Sequence, residues 1–134
     1  MTWTHKSHDN GWVTAQETIT TVQDQSTAHY TSAIDFLPPD QDFMIVATAN
    51  NLSDSGRIDL YVASESAGTY AVLKTKIIQN LDNATKAAWY DVSSNGIGAF
   101  NKLAFIPDGA QDADDTIKMT IYYRSPLLNK YEGR

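Results

Sequence analysis

Between its glycine, proline and Asn/Asp clusters the chain alternates apolar and polar residues with a period of two, the signature of strands with one covered face. The clearest run is 57–64, where Ile58, Leu60 and Val62 fall on one side and Asp59, Tyr61 and Ala63 on the other. Residues 115–123 repeat it, with Ile117, Met119, Ile121 and Tyr123 set against Thr116, Lys118, Thr120 and Tyr122. Residues 28–36 align Tyr30, Ile34 and Phe36 against His29, Thr31 and Asp35, until Pro38 and Pro39 withhold the donors that a ladder needs. Residues 43–49 are apolar at nearly every position, as in a central strand covered on both faces. Further strands are expected at 12–22, 69–78, 84–92 and 99–106, making about eight separated by turn sequences such as Ser93-Ser94-Asn95-Gly96 and Pro107-Asp108-Gly109. A short helix within 77–88 is the competing reading, and Asn80, Asp82 and Asn83 favour a loop there.

These patterns predict an all-β fold: a single antiparallel β-sandwich, jelly-roll-like, with an Ig-like sandwich as the alternative because periodicity does not contain strand order. Ile45, Ile58, Leu60, Val62, Ile117 and Ile121 are its expected core. The sandwich domain is expected over 12–123, between an N-terminal arm, 1–11, and a C-terminal arm, 124–134. Both arms are polar yet hold apolar anchors, Trp3 in one and Leu127, Leu128 and Tyr131 in the other. A length of 134 residues agrees with one domain.

Composition narrows the chemistry. With no cysteine, disulfides, thiol nucleophiles and thiolate metal sites are excluded. Ten Lys and Arg against sixteen Asp and Glu give a formal charge of −6, the wrong sign for nucleic acid or an anionic membrane. The polar residues 1–10 hold no apolar stretch of the kind a signal peptide needs, and no run approaches a membrane span, so synthesis in the cytoplasm without a signal peptide is expected.

Candidate chemistry is sparse. His5, His8 and His29 are the only imidazole bases, none lies near a nucleophile elbow, and Gly96-Ile97-Gly98 is too short for a dinucleotide fingerprint, so no enzyme is expected. A glycosidase pair among the sixteen acids is the reservation. His5, His8 and Asp9 could ligate a metal but sit in a polar arm. Asp108, Asp112, Asp114 and Asp115 gather four carboxylates in a short loop, as a calcium site would, although the order is not that of an EF-hand and a solvated turn explains them as well. Tyr61, Trp89, Tyr122 and Tyr123 would form a saccharide platform if they share an outer face. Few inward charges blunt the edge strands, so subunit contact is expected.

The strand-to-turn Ala104-Phe105-Ile106-Pro107-Asp108-Gly109 and the closing strand from Ile117 to Tyr123, in a cysteine-free, Asp-rich, Thr-rich chain, resemble small virion proteins of tailed bacteriophages, nearest to the capsid decoration (cement) type. The resemblance covers the style of residues 12–123 and implies a trimeric or otherwise symmetric virion protein that stabilises a shell by non-covalent docking on the major capsid protein or another virion protein. A tail or fibre component, or a carbohydrate-binding β-sandwich module, is the alternative. On this reading Trp3, Arg124, Leu127, Leu128, Lys130, Tyr131 and Arg134 are the partner-binding residues, with the C-terminal cations suited to an acidic surface.

Overall fold

The computed structural model describes residues 2–124. They form β1 (Thr4–Ser7), β2 (Trp12–Thr20), β3 (His29–Tyr30), β4 (Phe43–Ala49), β5 (Gly56–Ala63), β6 (Ala71–Leu81), β7 (Thr85–Tyr90), the single-turn helix α1 (Val92–Asn95), β8 (Phe100–Pro107) and β9 (Thr116–Arg124). A five-stranded sheet runs β1-β2-β9-β4-β7 and a four-stranded sheet runs β3-β8-β5-β6, with every pairing antiparallel.

The pairings β2–β9, β3–β8, β4–β7 and β5–β6 are nested, as in one long hairpin rolled around a core. From β2 onward the chain changes sheet at every connection except β5–β6. This is the jelly-roll order, and it settles the choice against an Ig-like sandwich.

Inward residues of both sheets meet in the middle. Ile45, Ile58, Leu60, Ile117 and Ile121 are fully buried with Phe43, Leu103 and Phe105. Phe43 and Tyr90 stack at 4.9 Å, and the Tyr90 hydroxyl donates to the Gly96 carbonyl at 2.7 Å. Burial pushes that phenol up to about 12. Val62 departs from the expected core: it is half-buried at the sandwich end, where the backbone of Gly98 closes on it.

Other differences have local causes. Residues 4–7 pair with β2 although all four side chains are exposed, so ladder hydrogen bonds rather than an apolar stripe hold them. The strand expected over 28–36 pairs only at His29–Tyr30 and at an Ile34–Asn101 bridge. Between these, the buried Glu17 carboxylate draws Ser32 aside, accepting from its backbone NH at 2.8 Å and from its hydroxyl. β4 is central but covered on one face only, because the sandwich has two layers and leaves Met44, Val46 and Thr48 half-exposed outside. Residues 77–81 continue β6, in place of either a helix or a loop.

The edges are blunted within the domain. β3 and β1 are short, and β6 is irregularly paired with β5 and has positive φ at Lys76 and Asn80. Beside it, Lys86 of β7 donates to the Gln79 and Asn80 carbonyls. Short strands, bulges and lysines are standard protections against strand addition, so edge pairing with another subunit is not required by the fold.

Candidate binding surfaces

Because side chains alternate, each sheet presents one row to the core and one outward. On the five-stranded sheet, Met44 lies in register between Tyr122 and Trp89, and Tyr122 lies beside Thr14. One step along, Trp12 is in register with Arg124. The indoles of Trp12 and Trp89 approach edge-to-face at 6.3 Å and 71°, and the Arg124 guanidinium carbon lies 5.9 Å from the Trp12 ring centroid. Trp89 is 56% exposed.

His8 and Asn10 from the β1–β2 turn line a groove of about 270 Å³ with Trp12, Met44, Trp89 and Tyr122. A second recess of about 340 Å³, lined by Thr4, Lys6, Thr14 and Gln16, shares His8 and Tyr122 with it. The turn is fixed by backbone bonds between His8 and Trp12 and between Gly11 and His8, with Gly11 at φ 86° where a side chain would be strained. His8 is oriented by a 3.1 Å hydrogen bond between Nε2 and the Thr14 hydroxyl.

The four-stranded sheet presents a different surface. Tyr30 and Tyr61 meet edge-to-face at 5.2 Å, Tyr61 pairs with Val72 across the β5–β6 ladder, and Lys102 sits 4.5 Å above the Tyr70 ring. Tyr30, Val72 and Leu73 are exposed apolar side chains. Burial first, and then the neighbouring Tyr30, raise the Tyr61 pKa above its ordinary value. Arg57 and the buried Asp59 form an ion pair there, with Arg57 Nε 3.2 Å from both carboxylate oxygens. Asp59 also accepts from the Lys76 NH at 2.8 Å, pinning the irregular stretch of β6.

The proposed saccharide platform is therefore divided. Trp89 and Tyr122 share the outer face of the five-stranded sheet, Tyr61 lies on the opposite sheet, and Tyr123 points inward, its hydroxyl sharing a 3.0 Å hydrogen bond with His5 Nδ1. Trp12, Met44, His8 and Asn10 complete the groove; the sequence reading had His8 only as a candidate base or metal ligand and did not select the other three. Trp12 and Trp89 are far apart in sequence, and only the β2–β9–β4–β7 adjacency brings them together.

Of the expected partner-binding residues, Trp3 packs on its own domain: its indole meets Phe36 edge-to-face at 5.9 Å and donates to the Ser32 carbonyl at 3.2 Å. Arg124 lies over the Trp12 ring and is not part of the groove lining. Leu127, Leu128, Lys130, Tyr131 and Arg134 lie outside the described residues.

The acidic loop is tied by hydrogen bonds that pull its carboxylates apart. Asp108 accepts from Ser55 at 2.8 Å, Asp114 from the Gln23 NH at 2.7 Å, and the backbone NH groups of Asp112 and Asp115 donate to the hydroxyls of Ser53 and Thr21. Its hub is the fully buried Gln111, whose Oε1 accepts from Ser53 and Asp54 while Nε2 donates to the Asp54 carbonyl at 2.9 Å. Among the described residues no three of His, Asp and Glu gather as metal ligands, either here or at His5, His8 and Asp9. His29 is partly buried, which lowers its pKa, and its Nε2 has no hydrogen-bond partner.

No protein-family model matches the chain, and no curated protein matches it. A solved structure described by the words "Bacillus endospore appendages form a novel family of disulfide-linked pili" is similar over 85% of this chain and 88% of its own, at 15% identity and a TM-score of 0.38. This chain has no cysteine with which to form a disulfide.

Proposed function

We propose that the chain is a non-enzymatic structural module that docks on a larger protein assembly through the outer face of its four-stranded sheet. In its finer form the proposal is a capsid decoration protein, held without covalent bonds on the shell of a tailed phage and presented there as a trimer. The observation that carries the docking face is the half-buried Tyr61 with exposed Tyr30 and Val72 packed or paired beside it, and exposed Leu73 next along β6. A contiguous apolar patch on a small domain marks an interaction site, and tyrosine is enriched while charge is depleted at the centre of protein interfaces. Here the nearest carboxylate, Asp59, is already neutralised by Arg57.

The test begins with particles recovered from cells that express the chain, in which it should be present in a fixed ratio to the shell protein. Recombinant chain added to particles stripped of it should co-sediment, and Val72→Asp combined with Tyr30→Ser should abolish this without changing the circular dichroism spectrum. Absence from purified particles, or undiminished co-sedimentation of the double variant, would overturn the proposal.

A further inference from the structure

The outward strand positions of the five-stranded sheet carry Lys6, Lys118 and Arg124 and no carboxylate, in a chain whose formal charge is −6. The remaining outward positions are chiefly threonines, and the acids beside this end of the sheet, Asp9 in the β1–β2 turn, Asp42 before β4 and Asp91 after β7, do not line the groove. Charge and aromatic surface are thus segregated onto the same face. At one end of it stand Trp12, Trp89 and Tyr122, flanked by His8 and Asn10 and continuous through His8 and Tyr122 with the recess that holds Lys6.

We propose that this groove binds an acidic saccharide, a glycan chain bearing uronate or sulfate groups. The chemistry fits at three points. Indole and phenol faces carry the negative lobe of the ring quadrupole, which attracts the weakly positive C–H face of a pyranose and shields it from water. The 71° angle between the two indoles provides two walls rather than one platform. Specific sites of this kind pair a mostly apolar lining with a few placed polar groups, and His8, Asn10, Thr14 and Gln16 are the groups that sugar hydroxyls would meet. Lys6 lines the recess that continues the aromatic groove, so an anionic substituent on that side of a stacked ring meets a cation. The Arg124 guanidinium carbon, 5.9 Å from the Trp12 ring centroid, adds positive potential beside the indole walls. An acidic peptide shares the charge but lacks the flat apolar ring face that exposed indoles select.

This inference goes beyond the docking role and uses the opposite sheet. A module seated by its four-stranded face would hold the groove toward solvent. The two readings fail separately: loss of saccharide binding leaves particle co-sedimentation untouched, and loss of docking leaves the groove intact.

The test is titration of the full chain with an oligogalacturonate and with a sulfated oligosaccharide, beside a neutral oligogalactoside and an oligoglutamate of similar length, read by calorimetry and tryptophan fluorescence. Saturable binding is expected for at least one acidic saccharide. Trp89→Ala should weaken it about tenfold or more, a difference of about 1.4 kcal/mol, with an unchanged circular dichroism spectrum, since Trp89 is exposed. Lys6→Gln should weaken the acidic ligand several-fold, and raising the ionic strength from about 0.01 to about 0.15 M, which shortens the screening length from about 30 to about 8 Å, should do the same. Trp3→Phe should bind normally, because the Trp3 ring packs on Phe36 and lines neither the groove nor the recess that continues it. The proposal is overturned by absence of binding to both acidic saccharides, by equal affinity for the neutral one, by equal affinity of the Trp89 variant, or by tighter binding of the oligoglutamate.

Discussion

Replacing Gln111 by alanine removes the side chain that ties the acidic loop to the segment before β5. Gln111 is fully buried, with the Ser53 NH at 3.1 Å and the Asp54 carbonyl at 2.9 Å as its nearest backbone partners, while Ser53 Oγ and the Asp54 NH bond at 3.2 and 3.3 Å. Taking about 1 kcal/mol for each of the two shorter bonds, and about 0.8 kcal/mol for each methylene group withdrawn from the interior, gives a loss of about 3 kcal/mol, or about 10 °C in melting temperature for a domain of this size. Urea unfolding followed by tryptophan fluorescence measures it directly, with an unchanged slope showing that the surface exposed on unfolding is the same. Gln111→Glu should also destabilise, because it sets a second oxygen against the Asp54 carbonyl. A loss below about 1 kcal/mol for the alanine variant would refute the view of Gln111 as the hub of this loop. The same melts with EDTA and with added calcium should superimpose, and a clear calcium-dependent rise would instead return Asp108, Asp112, Asp114 and Asp115 to the role of ligands.

Leu60→Ala, in the middle of β5 and fully buried, should cost about 2–5 kcal/mol in urea unfolding through lost transfer energy and a residual cavity. Gly56→Ala should cost about 1–3 kcal/mol by the same measurement, because a Cβ there would lie 2.5 Å from the Phe105 ring and 2.6 Å from the Ile106 carbonyl oxygen, which is backbone and cannot swing away. The lowered pKa of His29 means that the unfolded chain binds its proton more readily than the native one. Stability should therefore be fully present above the ordinary histidine value of 6.5 and fall as pH drops through it, and His29→Phe should flatten that part of a melting-temperature profile while leaving the rest unchanged.

Strand positions and the core were readable because alternation reports burial directly. Ile58 and Leu60 on β5, and Ile117, Met119 and Ile121 on β9, face inward as their parity requires. β1 was not readable, because Thr4–Ser7 has no apolar member and its order comes from a neighbour distant in sequence. β4 read as doubly covered because composition cannot distinguish a residue packed against a second layer from Met44 and Val46, which line an open face. The binding surfaces were readable only in fragments. Trp89 and Tyr122 have the right outward parity, whereas Tyr123 is one residue out of phase and therefore points inward. Which outward rows become neighbours depends on the nested strand order, and that is set by long-range pairing. Gln111 was hidden among acids whose composition suggested solvent, and its burial follows from the approach of 53–54 rather than from its own neighbours.

Hydroxyl-radical footprinting of the chain, free and bound to its particle, tests the proposed docking face most directly, because both outer faces carry readily oxidised side chains. Docking through the four-stranded sheet predicts protection of Tyr30 and Tyr61, with Trp12, Met44, Trp89 and Tyr122 labelled as in the free chain. Protection of those four residues with Tyr30 and Tyr61 still labelled would contradict it.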